Sequence, residues 1–410
     1  MLTKENAYDQ GMIRTMELER IKPEGITSEL EKYLERYAKC FSNMSQRKYF
    51  ETFEKGLLSD LERKTLEPIA LALLDETEVR GLQQFFGRAK FSDEELLERY
   101  QTLLAETLGE AEGFLSVDGS DFPKKGSHSV GVARQYCGRL GKTENCQAGV
   151  FVGYATSKGY GLVNRALYMP EEWFSEEKAV LRQKCKVPET VTFQTKNEIA
   201  QEMIHQVVES GKFPVKWVGC DAAFGSDHNF LRGLPEGVCY FAAVKENELV
   251  FLQRPDMVLP KGPNAKRLRP SFPPVSVKSI AADDSIPWDK RTLAKGTKGP
   301  IQAQVKCIRC AACDANTPTD DVWLYIRKYA DGTVKYFLCN GPADLEQSVL
   351  DRLATMRWSI EQCFQECKSF LGMTHYETRT YGGWLRHMLM VMIAHLFTTI
   401  LRLLLQKKFL

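Results

Sequence analysis

Val215-Lys216-Trp217-Val218-Gly219-Cys220 runs directly into Asp221. It is an apolar run of strand length that ends on a carboxylate. An acid at the carboxyl end of a buried strand is well placed to face a ligand. Alone, it would read equally well as a surface turn. The same pattern stands upstream, where Phe114-Leu115-Ser116-Val117 leads into Asp118. Between the two acids lie a second apolar strand, Cys146 to Ala155, and a third, Tyr160 to Tyr168, joined through Ser157-Lys158-Gly159. A capping box, Thr195-x-x-Glu198, then opens a helix through Val208. Beyond Asp221 the pattern predicts a short helix near Asp227 to Leu234 and a buried strand from Gly237 to Val244. The order is β-β-β-α-β-α-β, with acids ending the first and fourth strands. Two turn aspartates are common singly and much less so in this order.

That order is the ribonuclease-H-like plan, in which the first and fourth strands are neighbours. Asp118 and Asp221 are therefore expected side by side at one sheet edge. The predicted fold class is α/β: an RNase-H-like core, a mixed five-stranded sheet flanked by helices, with an N-terminal helical domain and a β-rich insertion. The predicted domains are a helical, DNA-binding 1–110, a first core part 111–245, a Pro-rich, basic and β-rich insertion 246–340, and a second core part 341–410. Residues 1–28 show no clear periodicity and are expected to be partly disordered. From Ser28 to Leu108 apolar residues such as Phe50, Phe53, Leu57, Leu58 and Leu61 recur at helical spacing, which predicts four or five helices. Ser92-x-x-Glu95 opens the last of them; no clean helix-turn-helix is visible. Residues 251–300 hold eight of the 17 prolines and mark the insertion. Ile301 to Ile308 and Val322 to Cys339 read as strands, the latter a hairpin turning at Asp331-Gly332.

The helix that follows is Arg357-Trp358-Ser359-Ile360-Glu361-Gln362-Cys363-Phe364-Gln365-Glu366-Cys367-Lys368. It lacks Gly and Pro and has one β-branched residue. On a continuous helix Arg357, Glu361 and Lys368 fall at about 0°, 40° and 20°, on one narrow face. Leu353, Ile360, Phe364, Cys367 and Leu371 form an apolar stripe beside it, and Trp358, Gln362, Gln365 and Glu366 point elsewhere. One carboxylate is thus predicted between two cations at the rim of a buried face. By itself this is equally an ordinary Arg–Glu pair on a solvated helix, worth a few tenths of a kcal/mol.

A net charge of +2 conceals local imbalance. Five Lys/Arg and no acid occupy Phe122 to Lys142, among them Lys124, Lys125 and Arg134; nine Lys/Arg face three Asp from Lys261 to Pro300. Such islands suit a polyanion, though solvated loops share the pattern. The twelve cysteines follow no disulfide-scaffold pattern, and the first 30 residues are polar and charged. A reducing, cytoplasmic setting without a signal peptide is expected. The apolar run Met388 to Leu401 has 14 residues, short of the roughly 20 that span a bilayer, so a buried core helix from about Trp384 and no membrane association are expected. His387 and His395 lie on it as core or rim residues.

Asp118, Asp221 and Glu361 could together bind two divalent cations, and an all-oxygen donor set suits Mg²⁺ or Mn²⁺. Two such ions about 4 Å apart activate the attacking oxygen and stabilise the leaving oxygen of a phosphodiester. Arg357 and Lys368 would grip the flanking phosphates. Three acids in one place repel one another without metal, which disfavours a purely structural cluster. Cys307-x-x-Cys310-x-x-Cys313 is the competing metal motif; zinc normally takes four ligands and no further Cys or His follows until Cys339. A cysteine-rich strand and turn is the plainer reading, and the spacing does not decide it.

Arg357-x3-Glu361-x6-Lys368 resembles the Tyr-x2-Arg-x3-Glu-x6-Lys signature of bacterial cut-and-paste insertion-sequence transposases of the DDE superfamily. Phe122-Pro123-Lys124-Lys125-Gly126-Ser127-His128-Ser129-Val130-Gly131-Val132-Ala133-Arg134-Gln135-Tyr136-Cys137-Gly138 is similar to the segment after the first catalytic acid in one branch. Ile360-Glu361-Gln362-Cys363-Phe364, Leu371-Gly372, His375-Tyr376-Glu377 and Gly383-Trp384-x-Arg386-His387 resemble that branch too. The similarity runs from about residue 50 to Leu410. It implies catalytic and metal-binding Asp118, Asp221 and Glu361, two Mg²⁺ or Mn²⁺ ions, DNA contacts from Arg357, Lys368, Lys124, Lys125, Arg134 and Arg386, inverted-repeat ends and target DNA as partners, and a homodimer on DNA. Two departures stand out. The signature's Tyr falls on Ala354, and the first acid lies in Val117-Asp118-Gly119-Ser120-Asp121, where the branch more often has paired acids; Asp118 is the choice and Asp121 the fallback. The alternatives are a transposase-derived DNA-binding protein that no longer cuts and a structure-selective nuclease.

Overall fold

The computed structural model describes residues 23–261, 267–296 and 299–408. Helices α1 (Pro23–Glu35), α2 (Met44–Leu58), α3 (Leu66–Leu73), α4 (Val79–Arg88) and α5 (Asp93–Leu108) come first. Strands β1 (Gly113–Pro123), β2 (Ala133–Cys137), β3 (Lys142–Thr156) and β4 (Gly159–Tyr168) follow. Then come α6 (Ala179–Lys184), α7 (Lys196–Glu209), β5 (Val215–Cys220), α8 (Ala222–Gly225), α9 (His228–Arg232) and β6 (Cys239–Val244). The next stretch holds β7 (Leu249–Phe251), β8 (Met257–Val258), β9 (Arg269–Pro270), β10 (Val275–Ser276), α10 (Val277–Ala282), β11 (Asp289–Gly296), β12 (Gly299–Asp314), β13 (Thr317–Lys328) and β14 (Val334–Cys339). The last described elements are α11 (Gln347–Met356), α12 (Ser359–Phe370) and α13 (Tyr381–Lys408). The protein is mixed α/β with a large mixed sheet, consistent with an RNase-H-like fold.

The chain forms two compact units. One holds Phe114–Ser116 and Val215–Trp358; the other holds the described part of Met12–Gly113, then Val117–Pro214 and the residues from Ser359 onward. In the first, the strand order is β10-β7-β12-β13-β14-β6-β5-β1, with β11 on β12. β5 and β6 run parallel, in the register Trp217↔Cys239, joined by the short helices α8 and α9. Helix α11 buries Leu350, Leu353 and Ala354 against Phe114, Trp217 and Tyr325. In the second unit the order is β1-β3-β2, with β4 pairing antiparallel to β3. Ile360 of α12 sits over Gly153, and Phe364 meets Phe151 edge-on at 5.3 Å between centroids.

The second unit is closed by α13. Tyr33 of α1 donates to the Ile393 carbonyl at 2.9 Å, and Met388–Phe397 are buried throughout. By length and composition α13 could cross a membrane. Here its stretch Met388–Phe397 is covered by protein, as for the core of a helical bundle.

Several expectations need correction. Helix α1 begins at Pro23, within residues 1–28; residues 1–22, on which the rest of that expectation falls, lie outside the described residues. Strand β1 does not stop at Asp118. It continues to Pro123 because Phe122 keeps the alternation and packs against Tyr376 and Trp384. β12 extends past Ile308 to Asp314, and β11, inside the Pro-rich stretch, pairs with it. The helix through Glu361 is broken. Arg357 N–H still bonds Leu353 O at 2.9 Å, but Trp358 N–H reaches only to Thr355 O at 3.2 Å, a tighter i→i−3 turn that ends α11. The cap boxes fared better: Thr195 and Glu198 reciprocate fully, and Ser92 accepts from Glu95 N at 3.0 Å.

One buried group has a measurable cost. Both carboxyl oxygens of Glu54 on α2 are buried without a hydrogen-bond partner, and burial raises its pKa well above the carboxylate range. A folded-state pKa above the unfolded one means stability is fully present below the unfolded pKa and is lost as pH rises toward the folded value. Glu54→Met keeps the volume and removes the polar head. It is expected to stabilise the protein by about 1–3 kcal/mol at neutral pH, and thermal melts from pH 4 upward should show the gain growing with pH.

Candidate active site

In the first unit, β5 delivers Asp221 to the start of α8. The carboxylate caps that helix, accepting from Ala223 N at 2.9 Å and Phe224 N at 3.3 Å, both through Oδ1. Gly219 and Asp221 alternate onto one side of the strand. The Arg357 stem crosses that side: a Cβ at Gly219 would stand 3.3 Å from Arg357 Cγ and would collide with the Phe114 ring. So α11, laid over β5 by Leu350 and Leu353, ends with Arg357 one step from Asp221. Ala354 is part of the buried packing that permits this approach, which leaves no surface position there for the signature's tyrosine.

The second unit carries Asp118, Glu361 and Lys368. Asp118 is half-buried in β1, on the strand face it shares with Phe122. Gly119 N–H donates to its Oδ1 at 2.7 Å. Asp121 lies on the alternate face and is committed: its Oδ2 accepts from Gly138 N at 2.6 Å, holding the turn between β2 and β3. Glu361 stands in the first turn of α12 and Lys368 in the last, each at the helix end that suits its charge. Lys368 is half-buried. Burial and the Arg139 guanidinium hold its ammonium below the usual lysine range, while Asp121 and Asp118 draw it back up. The structure therefore brings Lys368, Asp118, Asp121 and Arg139 into one electrostatic neighbourhood. Arg139 lay inside the first basic island, and nothing in its spacing singled it out.

The other expected DNA contacts divide. Lys125 and Arg134 are exposed. Lys124 instead lies over the Tyr376 ring, 3.5 Å from its centroid, and burial pushes its ammonium down to about 8. Arg386 is a structural clamp. Its Nε donates to Asp93 at 2.7 Å and its other nitrogens to the carbonyls of Phe85, Phe86 and Ala89, tying α13 to the end of α4. Arg386→Ala is expected to cost about 3 kcal/mol of stability by stranding Asp93, read by chemical denaturation, while the salt slope of DNA binding stays unchanged. In the second island Arg291 is engaged by Asp351 at 3.1 Å, and Lys266 and Lys298 lie outside the described residues.

Cys307, Cys310 and Cys313 lie along β12. Among the described residues they form no metal-ligand cluster; Cys363, Cys367 and His395 do. None of the twelve cysteines is in a disulfide.

A family model described as DDE superfamily endonuclease matches residues 36–300. Among solved structures, the chain is similar to the NurA nuclease from Sulfolobus solfataricus, with 8% identity over 83% of this chain and 98% of that one, and a TM-score of 0.26. No curated protein matches it.

Proposed function

Because the chain belongs to the DDE superfamily endonuclease family, we propose that it is a DNA transposase that cuts the terminal inverted repeats of a bacterial insertion sequence and joins the freed 3′-OH ends to target DNA. The observation that carries this is the match over residues 36–300, which includes Asp118, Asp221 and the basic segment after the first acid. Glu361, Arg357 and Lys368 lie beyond it and rest on their own signature.

Asp118, Asp221 and Glu361 are the proposed ligands of two divalent ions. Their donor chemistry fits: all three offer carboxylate oxygen, and the cap bonds of Asp221 fall on one oxygen only. Mg²⁺ or Mn²⁺ held there supplies charge stabilisation for the attacking and leaving oxygens. The chain's own residues do the rest. Arg357 and Lys368 orient phosphate oxygens, and Lys125, Arg134 and Arg139 bind the backbone. The proposed working form is a homodimer on DNA in the bacterial cytoplasm, with residues 1–110 contributing DNA contacts and 246–340 an insertion in an RNase-H-like core split between 111–245 and 341–410. The strand order β6-β5-β1-β3 with β4 on β3 supports a five-stranded core of that kind.

The buried Ala354 in place of the signature's tyrosine favours a second reading, a transposase-derived protein that binds DNA without cutting. The test is footprinting on the inverted repeats that flank the gene, with and without Mg²⁺. Cleavage at the repeat ends supports the transposase, protection without cleavage the binding protein. Cutting that follows DNA structure rather than the repeats overturns both.

A further inference from the structure

The buried side of α12 carries a second group of side chains, away from the acids. Cys363 and Cys367 are one helical turn apart and face the same way. His395 of α13 meets them: Cys363 Sγ lies 3.8 Å from its Nδ1 and 3.7 Å from its Nε2. One ligand atom from each of the three residues lies within 4.8 Å of the others, and all three residues are buried. We propose that Cys363, Cys367 and His395 bind a structural Zn²⁺ ion that fastens α12, the helix of Glu361 and Lys368, to α13.

The spacing suits zinc. With Zn–S near 2.3 Å and Zn–N near 2.0 Å, donors around a tetrahedral ion stand roughly 3.5–3.8 Å apart. The Cys363–His395 separation is already in that range. Two thiolates balance the charge of Zn²⁺, so the filled site is neutral and its burial is tolerable. An all-oxygen metal such as Mg²⁺ has no affinity for such a donor set.

The surroundings are those of a built site. His395 Nε2 is 2.8 Å from Glu366 Oε2, and Tyr160 donates to Glu366 Oε1 at 2.6 Å. A carboxylate that fixes one ring nitrogen turns the other toward a metal and raises its basicity. Here that leaves Nδ1 for the ion. The three protein donors leave one tetrahedral position for a fourth ligand. Without metal, burial holds the Cys363 thiol protonated. Zinc binding releases the thiol protons to solvent, as for any thiolate site.

The proposal does not depend on the transposase reading, and neither does its test. Reduced full-length protein, stripped by a chelator, is titrated with Co²⁺ and then with Zn²⁺. The expected result is a thiolate-to-cobalt charge-transfer band, displaced by one equivalent of Zn²⁺, and a rise in Tm on adding Zn²⁺. Co²⁺ on carboxylates gives no such band. Cys363→Ser and Cys367→Ser should lose it, while Cys307→Ser and Cys310→Ser keep it. Glu366→Gln leaves the ligands in place and should weaken Zn²⁺ binding about 10–100-fold; it decides the matter if the serine variants do not fold. No band and no zinc uptake by the wild type overturns the site. So does unchanged affinity in Glu366→Gln, or a band lost only in Cys310→Ser.

Discussion

Asp118→Ala, Asp221→Ala and Glu361→Ala are each expected to lower cleavage of inverted-repeat DNA by on the order of 10³-fold or more, since each removes a charged oxygen from the proposed metal site. Binding of the same DNA, read by mobility shift, should survive. Fold should survive too, because all three acids are half-buried at most and none anchors a core. Asp221→Asn is the informative control: its amide oxygen still caps α8 but carries no charge, so a cap defect and a metal defect separate. The first acid is tested the same way. Asp121→Asn keeps an acceptor for Gly138 N–H and should cut normally; Asp118→Asn should not. Activity in Asp118→Asn with loss in Asp121→Asn would exchange their roles.

The second large effect is expected at Lys368 and Arg357. Each to Ala should slow single-turnover cleavage of pre-bound end DNA by about 2–4 kcal/mol, or roughly 30–1000-fold, the usual worth of one donor aimed at charge that develops in the transition state. A surface ion pair would contribute almost nothing. Lys368 offers a further check. Its ammonium is held below the ordinary lysine range by burial and Arg139, so it loses charge as pH rises sooner than a free lysine would. Wild-type cleavage should decline at high pH, and Lys368→Arg, which stays charged, should shift that decline upward. Wild-type rates in both alanine variants would return these side chains to ordinary helix surface.

Much of this could be read from residue order because strands and caps are local. Trp217–Cys220 is buried and apolar, Thr195 and Glu198 make their box, and Asp331-Gly332 makes its turn, with Gly332 at φ +83°. The failures had non-local causes. Nothing in Arg357-Trp358-Ser359 breaks a helix; the break falls where the chain leaves one packed unit for the other. Asp118 is expected at a strand end because the apolar run Phe114–Val117 stops there, yet Phe122 is held by Tyr376 and Trp384, over 250 residues away. The carbonyl partners of Arg386, on Phe85, Phe86 and Ala89, lie about 300 residues from it and leave no local mark on its sequence. Glu366 was set aside as pointing away from the catalytic face, and it does; its partner His395 lies on the next helix.

The bond from Tyr33 to Ile393 links residues 360 apart. A ribosome adding about 5–20 residues per second needs roughly 20–70 s to cover that distance. During that time α1 has been made and its final partner has not. Lys64 waits likewise for the Phe370 carbonyl and Asp93 for Arg386. Helices α1–α5 therefore cannot mature on the ribosome ahead of the rest, as an independent leading domain would. A message cut short before codon 393 yields a chain whose first helices expose the apolar faces meant for α13. Transiently exposed apolar surface of that kind makes a chain prone to aggregate.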